Sequence, residues 1–115
     1  MQETWYMAIE VKYTPDFERQ LKRLANKYSS IYQDLEVLID ELELNPQVGK
    51  PLGKNLYKIR IALSAKGKGK SGGARVITYV LLKNDAIYLA AIYDKSQQST
   101  VDTDRLLKVL KSLDL

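Results

Sequence analysis

The periods of the apolar residues come in blocks along this chain, not in alternation, and that order restricts the folds open to it. Residues 5–13 (WYMAIEVKY) place Trp5, Met7, Ile9, Val11 and Tyr13 on one face, the pattern of a half-buried strand. The spacing then becomes helical. Thr14 and Pro15 supply an N-cap and a first helical position, and Phe17, Leu21, Leu24 and Tyr28 recur at helical spacing behind them. Ser30-Ile31-Tyr32-Gln33 reads as a capping box opening a second helix, with Leu35, Leu38, Ile39 and Leu42 as its stripe and Asn45-Pro46 as its stop. After a Gly/Pro/Lys loop at residues 45–55 the pattern returns to strands. Tyr57, Ile59, Ile61 and Leu63 share one face, and Lys58 and Arg60 the other. Residues 74–82 and 86–93 are rich in β-formers, and Lys83-Asn84-Asp85 joins them as a tight antiparallel hairpin. Ser99-Thr100-Val101-Asp102 reads as the cap of a last helix carrying Leu106, Leu107, Leu110 and Leu113. The order β-α-α-β-β-β-α segregates helices from strands. It predicts an α+β fold, an antiparallel sheet with an N-terminal helical hairpin against one face and a C-terminal helix. Its 115 residues fit one domain, 1–115.

Composition narrows the chemistry. There is no cysteine and no histidine, which removes thiol and Ser-His nucleophiles, Cys-ligated metals and the commonest general base. No apolar run approaches the ~18 residues of a membrane span, and no leader pattern opens the chain, so a cytoplasmic domain without membrane contact is expected. The net charge of +4 conceals a segregation: residues 44–84 hold no acid and nine bases, Lys50, Lys54, Lys58, Arg60, Lys66, Lys68, Lys70, Arg75 and Lys83. A basic segment this long without a compensating acid is the footprint of a polyanion partner. A merely solvated basic loop is the plainer alternative.

The segment Lys66-Gly67-Lys68-Gly69-Lys70-Ser71-Gly72-Gly73 contains Gly-Lys-Ser, but the glycine that a nucleotide-binding P-loop needs five residues before Gly69 is Ser64, and a β-pattern follows where a helix is required. What remains is a flexible basic hairpin tip whose glycines let backbone N–H groups approach phosphate, with lysines as counter-charge. Lys58 and Arg60 project from one strand face, and Arg75 opens the strand expected beside it. Tyrosines, among them Tyr93, are interleaved and offer stacking or hydroxyl groups. Such cations can stabilise a phosphorane-like transition state, and RNA supplies its own nucleophile in the 2′-hydroxyl.

Four stretches, VKYTPDFERQLKRL at 11–24, NLYKIRIAL at 55–63, GKGKSGGARVITYV at 67–80 and IYLAAIYDKS at 87–96, resemble the RelE/ParE superfamily of toxin–antitoxin toxins, on the side of its RelE/HigB-like ribonucleases. The resemblance spans nearly the whole chain and carries the same element order. It implies a ribosome-dependent, metal- and cofactor-independent endoribonuclease that cleaves mRNA and is held inactive by a cognate antitoxin, the complex binding operator DNA. Residue by residue, it places the catalytic cations at Lys58, Arg60 and Arg75, with a further one at Lys95 or Ser96, of which Lys95 is the basic match; the residues themselves offer Lys54, Lys66, Lys68, Lys70, Ser71 and Tyr93 as candidate RNA contacts. One position departs: a tyrosine that the family carries near the start of the last helix falls at Asp102, so the proton donor to the leaving group is left open. Two other readings fit the same fold, a ParE-like gyrase inhibitor without nuclease activity and a non-catalytic RNA-binding domain.

Overall fold

The computed structural model describes residues 9–67 and 69–115; the expectations for Trp5, Met7 and Lys68 lie outside them. Eight principal elements follow in order: β1 (Glu10–Tyr13), α1 (Pro15–Ala25), α2 (Ile31–Leu44), β2 (Lys50–Gly53), β3 (Leu56–Ile61), β4 (Ala74–Leu81), β5 (Ala86–Asp94) and α3 (Thr103–Ser112), with a short 3₁₀ turn at Leu82–Asn84. The strands form one sheet in the order β1-β5-β4-β3-β2. The α+β class read from the sequence is what the structure shows, with three refinements.

The first concerns β2. Residues 50–53, expected as loop, pair antiparallel with β3 through Lys50↔Lys58 and Pro51↔Tyr57. Pro51 speaks against a central strand, but β2 lies at the sheet edge, where a missing N–H is tolerated. Lys54 and Asn55 both take positive φ (54° and 68°), the backbone of a tight hairpin turn. The second concerns β1, which runs parallel to β5, making the sheet mixed; alternation assigns faces but not strand direction. The third concerns the helix starts. Thr14 caps α1, its hydroxyl accepting from the Phe17 N–H at 3.3 Å. Ser30 does not cap α2 with its side chain. Its hydroxyl instead donates to Asp34 at 2.9 Å and accepts from the Ala65 N–H at 2.9 Å. At α3 the cap is Asp102 itself, accepting from the Arg105 N–H at 3.2 Å, not Ser99.

The sheet is covered on both faces. Phe17, Leu21, Ile31, Leu35, Leu38 and Leu42 of the helical hairpin pack on Ile59, Ile61, Val76, Ile87, Leu89 and Ile92. On the other face Leu106, Leu107 and Leu110 of α3 pack on Leu56, Ile77, Ala90, Ala91 and Tyr93. Leu106, Leu107 and Leu110 of α3 are therefore spent on this second core.

One residue re-aims half of β5. The pairing runs Ile77↔Ala91 and then Thr78↔Leu89, leaving Ala90 as an extra residue on β5, a β-bulge. Before it, Ile87 and Leu89 face the helical hairpin; after it, Ile92 does, while Ala90, Ala91 and Tyr93 face α3. Because side-chain parity along a strand has period two, one inserted residue exchanges the faces of everything that follows.

Gly73 closes the β3–β4 connection against the sheet. A Cβ there would lie 2.0 Å from the Ile61 carbonyl oxygen, a backbone atom that cannot swing away. Gly73→Ala should destabilise the fold by about 1–3 kcal/mol, the usual range for overpacking. A urea-unfolding midpoint equal to that of the wild type would refute this.

Candidate functional site

Antiparallel register decides which cations meet. Arg60 pairs directly with Arg75, and Arg75 with Tyr93, so the three form a row across β3, β4 and β5 on one sheet face. Lys58 pairs with Lys50 one row over. A cleft of about 470 Å³ gathers Lys50, Lys58, Arg60, Lys70, Arg75 and Lys95, with Glu41, Ser99 and the backbone around Gly49 completing its wall. Among the described residues none of these six cations is ion-paired, since the salt bridges present use Lys12, Arg19, Lys27 and Lys66. Arg75 is 4% exposed. Its guanidinium donates to the carbonyls of Lys70 (3.0 Å), Ala74 (3.2 Å) and Ser71 (3.3 Å), and to no carboxylate. A buried cation held only by neutral acceptors is costly, and an anion in the cleft would offset that cost.

The glycine-rich connection is pinned at both of its ends. Ser64 donates to Asp34 through both its N–H (3.0 Å) and its hydroxyl (2.5 Å). The Lys66 ammonium donates to Asp94 at 3.0 Å, Arg75 holds the carbonyls of Lys70 and Ser71, and the Lys95 N–H donates to the Gly73 carbonyl at 3.1 Å. Asp94, 2% exposed, is the hub of a network on the hairpin face. Its carboxylate accepts from the Tyr28 hydroxyl (2.5 Å), the Ser96 N–H (3.0 Å), the Ser96 hydroxyl (2.8 Å) and Lys66, with Lys27 at 3.8 Å. Burial alone would raise the carboxyl, but the hydrogen bonds from Tyr28, Ser96 and Lys66 outweigh it and hold the group well below the usual carboxylate range.

With this geometry established, the family model for the RelE toxin of the RelE/RelB toxin–antitoxin system matches residues 17–113. The chain belongs to the RelE toxin family. The same fold is seen in a doubly arginine-to-alanine-substituted E. coli RelE toxin in the free state (TM-score 0.57, 17% identity, covering 93% of this chain and 99% of that one). It is seen again in the isolated E. coli RelE toxin (TM-score 0.56, 18% identity, covering 92% and 100%). A toxin of this family implies a cognate antitoxin. No helix among the described residues is long and apolar enough to cross a membrane.

The expected site residues of this RelE-family chain separate into groups. Lys58, Arg60, Arg75 and Lys95 come together in the cleft, and Lys70 joins them. Lys66 does not line it: its ammonium is spent on Asp94 and lies over the Tyr28 ring, 5.6 Å from the centroid. Lys54 sits at the β2–β3 turn, and Ser71 contributes a carbonyl to Arg75 rather than lining the cleft. Tyr93 is buried beneath α3, with no hydrogen-bond partner for its hydroxyl among the described residues. Burial pushes that hydroxyl's pKa up against the opposing pull of Arg75, so it stays protonated. Asp102, where the family's tyrosine is missing, is committed to capping α3. The sequence reading passed over three residues. Lys50 was hidden in an unrecognised strand. Glu41 belongs to a helix packed on the other face. Asp94 sits in an apolar strand, and a lone acid in such a strand is itself the available signal.

The depressed Asp94 carboxyl has a pH signature. Its folded pKa lies below the unfolded one, so its contribution to stability is present above the unfolded value and is lost as pH falls toward the folded one. Acidification from about pH 5 to about pH 3 should therefore lower the urea midpoint of the wild type more than that of Asp94→Asn. Parallel losses in the two proteins would contradict the assignment.

Proposed function

We propose that this RelE-family toxin is a metal-independent endoribonuclease acting on mRNA bound to the ribosome, and that the cleft of six unpaired cations is where the scissile phosphate binds. The observation carrying this reading is the buried Arg75 in the wall of that cleft, which has no carboxylate partner among the described residues. Charge neutralisation of this kind suits a reaction whose nucleophile the substrate brings. The 2′-hydroxyl attacks its own 3′-phosphorus, the 5′-oxygen of the next nucleotide leaves, and a 2′,3′-cyclic phosphate remains. Glu41 is the one carboxylate among the described residues that line the cleft, and we assign it the proton of the attacking hydroxyl. An ammonium of Lys58 or Lys95 supplies the proton to the leaving oxygen. Arg60, Arg75 and Lys70 hold the non-bridging oxygens. In the cell the cognate antitoxin keeps this cleft idle in the cytoplasm, and the toxin–antitoxin complex binds operator DNA.

Arg60 is the clean probe, because it is exposed and makes no side-chain hydrogen bond or ion pair among the described residues, whereas replacing Arg75 would also release the loop carbonyls it holds. Arg60→Ala should leave the unfolding midpoint unchanged and slow single-turnover cleavage of ribosome-bound mRNA by about 10²–10³-fold, the typical effect of losing one transition-state contact. Toe-printing on a translated message reads the outcome. Stalling without cuts would make the protein an RNA binder, and inhibition of gyrase with intact mRNA would make it ParE-like.

A further inference from the structure

We propose that Asp94 is a positioning residue for this cleft: the buried carboxylate grips Lys66 from the β3–β4 connection and Ser96 from the segment after β5, and so fixes Lys70 and Lys95 at the rim. The inference rests on the nuclease reading for its catalytic consequence, but the tether is a property of the free protein. Lys70 and Lys95 have no carboxylate partner of their own among the described residues. Their places therefore depend on the backbone that carries them. Lys95 immediately follows Asp94, and its N–H donates to the Gly73 carbonyl. Lys70 lies four residues beyond Lys66, and its carbonyl accepts from both Arg75 and the Gly73 N–H. Asp94 thus joins the two chain segments that bracket the cleft, from the opposite face of the sheet. Tyr28 fixes the carboxylate in turn through its hydroxyl, anchoring it to the turn between α1 and α2.

Removing one end of the tether should have the same effect as removing the other. Lys66→Met keeps the side-chain length over Tyr28 and removes the ammonium; Asp94→Asn removes the charge it grips. Each should lower kcat for cleavage of a ribosome-bound message by about 10–100-fold, the range that misplacement of about an ångström produces, with KM and its salt dependence unchanged. The double variant should be no worse than either single one, because the two residues act as one unit. Lys66→Arg, which retains charge and donors, should recover most of kcat. A multiplicative double variant would overturn the proposal. So would a rise in KM with a salt slope reduced by about one for Lys66→Met, since that is the signature of a direct phosphate contact. Amide exchange on the free variants provides a readout without RNA, and Lys66→Met covers the case in which Asp94→Asn fails to fold. Faster exchange at Lys66, Gly67, Gly73 and Lys95 supports the tether, and wild-type protection there refutes it. If the wild-type protein cuts no message, the nuclease reading falls and the exchange measurement alone decides whether Asp94 holds the rim.

Discussion

A single extra residue in β5 governs how the charges of this molecule are distributed between the two faces of its sheet. Without Ala90 as a bulge, strand parity would send Tyr93 to the helical-hairpin face and Asp94 to the face of Arg60 and Arg75. A buried carboxylate would then lie in the row of arginines, pair with them, and cancel the unbalanced charge of the cleft. With the bulge, Asp94 takes its hydrogen bonds from Tyr28, Ser96 and Lys66 on the far face, and among the described residues the arginine row makes no ion pair. Ala90 and Ala91, adjacent in sequence, both lie on the face of α3.

Separating the acid from the cations has an energetic side. Six like charges around one cleft repel one another, and Arg75 is nearly excluded from water. The fold accommodates them through neutral acceptors: backbone carbonyls of the glycine-rich connection, which approach the guanidinium closely and stabilise it without neutralising it. The start of that connection, Ser64 to Lys66, is held in turn by Asp34, Ser30 and Asp94 from the hairpin side. The basic connection is thus part of the cleft's architecture.

Much of this was legible in residue patterns. Thr14-Pro15, the stripes of α1 and α2, the alternation from Tyr57 to Leu63 and the hairpin around Asp85 are local signals, each set by capping, periodicity or turn chemistry within a few residues. They suffice for every principal element but β2, and for placing Lys58 and Arg60 on the face opposite Ile59 and Ile61. The acid-free stretch announced a concentration of positive charge for the same reason, since counting charge needs no coordinates. Local patterns fail where a distant partner intervenes. Ser30 has the right neighbours for a capping box, but Asp34 and Ala65 take its hydroxyl. Lys66 looks like a member of a lysine array until a buried acid 28 residues away claims it.

Local pattern and composition alone therefore settle the fold class, the order of all principal elements but β2 and the presence of a concentrated positive charge, because these follow from contacts within a turn or a strand and from charge counting. What only the tertiary structure decided is which of the cations share a cleft. Cross-strand register sets Arg60 opposite Arg75 and Lys50 opposite Lys58, the bulge assigns Tyr93 and Asp94 to opposite faces, and Asp94 removes Lys66 from the array. Register and face depend on pairings between residues far apart in the chain, and a one-residue shift inverts them while leaving every local pattern unchanged.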